Sequence, residues 1–89
     1  MQDEGYNMNK LIENLKNQIE SLRSDAYFYD MQILFVTNLQ KTSPEVEKEM
    51  EGYTFESIIE EDRIQKEKIL QKISMLDMQL RALQNEKAS

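Results

Sequence analysis

Residues 8–36 read MNKLIENLKNQIESLRSDAYFYDMQILFV. Within them Met8, Ile12, Leu15, Ile19, Leu22, Ala26, Tyr29, Ile33 and Val36 recur at alternating steps of four and three. Side chains so spaced share one stripe of a helix. A helix packed on a globular core would drift away from strict sevens over such a length, so the pattern specifies a left-handed coiled coil. It predicts a first coiled-coil helix over residues 8–41, preceded by a disordered leader at 1–7.

Downstream, Lys41-Thr42-Ser43-Pro44-Glu45 carries the only proline in the chain. Ser43 suits an N-cap, Pro44 the first helical position and Glu45 the first turn. These residues predict a turn at 42–43 and a second helical arm over 44–87. The heptad register is plain in that arm only at its end, in Ile69, Ile73, Leu76, Leu80 and Leu83. Nearer its start the apolar positions are Val46, Met50, Tyr53, Phe55, Ile58 and Ile59. Gly52 would cost about 1 kcal/mol inside a helix. Ser57 with Glu60 matches a capping box. The second arm therefore either runs unbroken or divides near 52–57. Folded back at 42–43, Leu39 would meet Val46, Ile33 Tyr53, Ala26 Ile59, and Ile12 Ile73.

Composition narrows function by subtraction. Eighty-nine residues make one domain at most, and two glycines with one proline favour long helices. Cysteine and histidine are both absent, which removes disulfides, thiolate nucleophiles, imidazole bases and nearly every zinc site. No catalytic residue, metal ligand or cofactor site is expected, and the chain reads as a non-enzyme. The net charge of −6 argues against a nucleic-acid or anionic-membrane partner. The longest apolar run, Ile33-Leu34-Phe35-Val36, is far shorter than a membrane span. Met1-Gln2-Asp3-Glu4 is acidic where a secretory signal is basic. A reducing, cytosolic or nuclear setting fits best.

Charge is unevenly distributed. Lys10–Lys41 is neutral, Glu45–Asp62 carries a net −7, and Arg63–Lys87 a net +3. Acid near a helix start and base near its end match the helix dipole, which makes a solvated surface one reading. An acidic docking face for basic peptides is the other.

On a helical wheel, residues 26–36 are apolar around nearly the whole circumference, with Asp30 and Gln32 the only interruptions. Such a helix needs more than one neighbour. The simplest is a second copy, giving an all-α helical hairpin that dimerises through the first arm into a parallel coiled coil and four-helix bundle. Ile12, Leu15, Ile19, Leu22, Ala26, Tyr29, Ile33 and Val36 form the expected dimer interface. Tyr27, Phe28, Met31, Phe35, Tyr53 and Phe55 gather near the turn, either as bundle core or as a groove for a partner's apolar residue. An acidic surround would speed encounter with a basic partner.

The run Ile19-Glu20-Ser21-Leu22-Arg23-Ser24-Asp25-Ala26-Tyr27-Phe28-Tyr29 resembles the carboxy-terminal dimerisation domain of the end-binding proteins, which track growing microtubule plus ends. In that family a coiled coil enters an aromatic run, then apolar positions, a short loop and a second helix starting near an S-P or D-P step. Phe28 and Tyr29 take the central aromatic places, Ile33, Val36 and Leu39 the apolar ones, and Ser43-Pro44 the second-helix start. The resemblance spans residues 12–50. It departs at Tyr27, where the family has an acid, and at Asp30, where it has a third aromatic. It implies a homodimer, docking of basic Ser-x-Ile-Pro-type peptides at the aromatic cluster, and a cytoplasmic, microtubule-associated fragment of a longer protein. A purely structural stalk or scaffold subunit of a kinetochore, spindle-pole or tethering complex is the alternative.

Overall fold

A computed structural model describes residues 4–88 of the chain, and every regular element in them is helical. Helix α1 runs Glu4–Thr42 and helix α2 runs Phe55–Ala88. A short 3-10 helix, Pro44–Glu49, lies between them. The long helices pack antiparallel as a hairpin, giving a rod of 64 × 20 × 19 Å. The leader expected at 1–7 is helical from Glu4 onward; residues 1–3 lie outside the described residues.

Helix α1 persists for 39 residues because nothing between Tyr6 and Thr42 breaks it: the segment contains neither glycine nor proline. It stops where Ser43 leaves helical geometry, with φ at −142°. Proline follows and cannot donate a backbone hydrogen bond. The Ser43 N–H donates to Leu39 C=O at 2.8 Å, and the Thr42 hydroxyl to Asn38 C=O at 3.1 Å, so the last carbonyls are partly satisfied. Pro44 does take the first helical position, but of the 3-10 helix, and the Ser43 side chain makes no capping bond.

The second arm is divided, and the division corrects the fold-back register. Glu51 and Gly52 both have positive φ, 46° and 93°, which turns the chain before α2. Gly52 is thus a turn residue in a conformation that L side chains rarely adopt. The cap of α2 sits three residues upstream of the expected box. The Ser57 N–H donates to Thr54 Oγ1 at 3.0 Å, while the Thr54 N–H donates to Ser57 Oγ at 2.9 Å. That is the reciprocal geometry of a capping box with serine in the glutamate's place. Glu47 adds a third bond, accepting the Phe55 N–H at 2.8 Å from the 3-10 helix. A carboxylate there also faces the positive end of the α2 dipole.

Because the connection occupies residues 43–54, α2 slides along α1 relative to a tight fold-back at 42–43. Asp30 pairs with Lys66 at 2.6 Å, where the tight turn would have set it against Phe55. The main core joins Ile12, Leu15 and Ile19 to Leu80, with Met8, Ile73, Leu76 and Leu83 packed around them. Ala26, midway along α1, and Phe55 and Ile59, near the connection, are buried too. A stripe of buried and half-buried positions alternates by four and three along the whole of α2, Phe55, Ile59, Asp62, Lys66, Ile69, Ile73, Leu76, Leu80 and Leu83, with half-buried Ile58, Gln65 and Asp77 beside it. Two continuous seams therefore close on each other.

The connection is accordingly a stability determinant. Thr54→Ala should lose about 1 kcal/mol with the cap. Gly52→Ala should lose about 1 kcal/mol through backbone strain, although a Cβ there meets nothing within 4 Å. Thermal unfolding followed by circular dichroism checks both, with exposed Gln71→Ala as the control. Midpoints equal to the control would contradict the capping assignment.

Candidate functional site

The eight residues expected to pair two copies all lie on the α1 stripe turned toward α2. Ile12, Leu15, Ile19 and Ala26 are buried, and Leu22, Tyr29, Ile33 and Val36 half-buried, within the single chain. The stripe that a parallel dimer would use is thus already covered by the chain's own second helix.

The docking candidates separate into three places. Tyr27, Phe28, Met31 and Phe35 stand on the opposite side of α1, at 64%, 59%, 45% and 66% exposure. Leu34, which the sequence reading did not single out, joins them at 61%. At 100° per residue these five fall within about 120° of arc, diametrically across from the seam. Phe28 packs edge-on against Tyr29, ring centroids 6.0 Å apart, so one aromatic pair bridges seam and outer face. Tyr53 is exposed in the connection. Phe55 is the most buried side chain described, at 2%, and belongs to the core; as the first residue of α2 it begins the seam while Glu47 holds its N–H.

Two open clefts flank the connection. One, of about 670 Å³, is polar and lies between the end of α1 and the start of α2, with Thr37, Gln40, Thr54, Glu60 and Arg63 on its walls. The other, of about 450 Å³, is formed by Tyr53, Ser57, Ile58, Glu61 and Asp62.

Asp62 is the residue that the sequence reading missed. It occupies a seam position, is 7% exposed, and its Oδ2 has no hydrogen-bond partner. Burial raises its carboxyl pKa above the usual aspartate value, and the neighbouring Glu61 charge raises it further. Lys66, one turn on, directs its ammonium group to Asp30. Gln65 Nε2 donates to Glu61 Oε1 at 3.1 Å and steers that carboxylate. The detectable signal was spacing: Asp62 and Lys66 continue the steps of four and three from Ile59 to Ile69.

Among the described residues, no group of three or more acidic, histidine or cysteine side chains could hold a metal ion. No helix among them is long and apolar enough to cross a membrane. Comparison of the chain with known protein families, curated proteins and solved structures finds no match.

The raised Asp62 pKa has a definite sign. The folded state binds this proton more tightly than the unfolded chain, so the ionised carboxylate weakens the fold above its folded pKa. The penalty disappears as pH falls below the usual aspartate value. Asp62→Asn should therefore stabilise the chain by about 1 kcal/mol at pH 7, part of the penalty for an unpartnered buried group. The gain should shrink toward zero on acidification. Urea unfolding at pH 7 and at pH 3 checks this; an advantage independent of pH would contradict it.

Proposed function

We propose that the chain is a homodimerisation and partner-docking module, whose hairpins associate through the outer aromatic face of α1. What carries the reading is the contiguous exposed set Tyr27, Phe28, Met31, Leu34 and Phe35. Three aromatics with two aliphatic neighbours, each about half exposed or more, offer on the order of 500 Å² per copy. The largest apolar patch on a soluble monomer is typically about 300–600 Å² and is often a site of interaction. The exposed set is smaller than the roughly 800 Å² per partner of a standard interface, so a micromolar dimer follows rather than an obligate one.

Charge selects the orientation. Along the outer face, Glu20 precedes Met31 and Lys41 follows it by nearly equal distances, with Ser24 and Asn38 in between. An antiparallel pair centred on Met31 sets Tyr27 against Phe35 of the second copy, Phe28 against its Leu34, and Glu20 near its Lys41. A parallel pair would oppose Glu20 to Glu20 and Lys41 to Lys41. The parallel pairing expected from the heptads would use the stripe that α2 lines, whereas the antiparallel pairing uses the outer face.

The resemblance to the end-binding dimerisation domain supports a microtubule plus-end setting, with docking of basic Ser-x-Ile-Pro-type peptides near the same aromatics. The 64 Å rod favours a second reading, a stalk that separates its attachments without binding peptides. Chemical-shift mapping with a basic Ser-x-Ile-Pro peptide separates the two. Shifts confined to Tyr27–Phe35 and Tyr53 support docking, and a flat titration leaves the stalk.

Self-association has its own check. In sedimentation velocity from 1 to 500 µM, an experimental range chosen about the micromolar class, the wild type should move toward twice the chain mass. Met31→Glu should remain monomeric with unchanged helicity. Phe28→Ala should weaken the dimer while leaving dilute-chain stability within about 0.5 kcal/mol, as for an exposed site. A wild type that stays monomeric throughout overturns the reading.

A further inference from the structure

We infer that oxidation of Met31 to its sulfoxide by hydrogen peroxide dissociates the antiparallel pair, so that the aromatic face of α1 carries its own redox control. This control rests on the self-association proposed above and governs that same face.

Position singles out Met31 among the methionines whose side chains are described. Met8 packs against the seam core, and Met50 is half-buried in the connection. Met75 and Met78 are 60% and 64% exposed, on the side of α2 turned away from the seam and therefore apart from the α1 face. Met31 is 45% exposed and stands in the middle of that face, with Tyr27 and Phe28 before it and Leu34 and Phe35 after it. Peroxide therefore reaches its sulfur in the single hairpin. In the pair, Met31 lies on the two-fold axis against Met31 of the second copy, so a change at this one side chain enters the contact from both sides.

The chemistry is a two-electron transfer. The thioether sulfur attacks one oxygen of the peroxide. The S–O bond forms as the O–O bond breaks, a proton passes to the departing oxygen, and water leaves. Sulfur is oxidised and peroxide reduced, with no further reactant. The product carries a polar, hydrogen-bond-accepting oxygen where an apolar thioether had been. The face offers that oxygen little: of Tyr27, Phe28, Met31, Leu34 and Phe35, only Tyr27 has a hydroxyl, one turn away and set against Phe35 of the second copy. Water solvates the sulfoxide in the single hairpin, whereas pairing would strip that water without replacing its hydrogen bonds. The penalty falls on association. The hairpin is spared, because Met31 lies across α1 from the seam.

The experiment treats the full chain with hydrogen peroxide and follows association by sedimentation velocity, while mass spectrometry of tryptic peptides locates each added oxygen. Cleavage after Arg23 and Lys41 releases Met31 apart from every other methionine, and cleavage after Lys72 and Arg81 releases Met75 with Met78. The oxidised wild type should show a dissociation constant raised at least tenfold with unchanged helicity. Methionine sulfoxide reductases for both sulfoxide epimers should restore it. Met75→Leu with Met78→Leu should associate like the wild type and lose association on oxidation as the wild type does. Met31→Leu, a change that conserves volume, should keep its own dissociation constant through the same treatment. Association that survives complete oxidation of Met31, or that Met31→Leu loses to the same extent, would overturn the inference alone. An untreated wild type that stays monomeric would overturn the self-association itself, and the inference with it.

Discussion

Two apolar stripes, one along each long helix, can leave water together only by closing on each other, and the rest of the molecule follows from that closure. Ile12, Leu15 and Ile19 bury against Leu80 and its neighbours at one end, Ala26 is buried midway along α1, and Phe55 and Ile59 are buried at the connection end. Neither helix could hide its stripe alone. The connection of residues 43–54 matters because its length sets which turn of α2 meets which turn of α1. Glu47, Gly52, Thr54 and Ser57 fix that length through bonds and backbone geometry.

The closure is not uniformly apolar. Asp62 and Lys66 interrupt the α2 seam between Ile59 and Ile69. Lys66 reaches out to Asp30 with both side chains substantially exposed, so the pair contributes little net stability. It does disfavour sliding by a heptad, which would set Lys66 against a different α1 turn. Asp62 instead remains buried, and its Oδ2 is without a hydrogen-bond partner, a cost that the closure of the seam bears. On the far side of α1 the same closure leaves Tyr27, Phe28, Met31, Leu34 and Phe35 outside. The aromatic face results from what the seam does not use.

Much of the fold was legible because the governing signal is periodic. The α1 stripe from Met8 to Val36 requires only hydrophobic spacing, and the helical hairpin follows from it and from Pro44. The register was not legible, because Ser43-Pro44 signals a helix start without stating how long that helix lasts. The positive φ of Glu51 and Gly52 and the contact from Glu47 to Phe55 depend on three-dimensional closure. The α2 seam was hidden for another reason: two of its positions are charged, and charge reads as surface. Phe55 misled through its type, since an aromatic beside an acidic block suits a groove as well as it suits a core. The excess apolar circumference of α1 was plain from sequence, but the division between what α2 covers and what stays exposed needed the helices in place.

The central claim is that α1 is paired with α2 of its own chain, and a spin-label distance tests it most directly. The chain has no native cysteine, so Asn17→Cys with Gln79→Cys labels one exposed site on each helix cleanly. Electron–electron resonance should give one short distance, comparable to the rod width of about 20 Å plus the label tethers. That distance should persist when labelled chain is diluted into excess unlabelled chain. A short distance that vanishes on dilution would mean that the seam joins two copies, and the account would be contradicted.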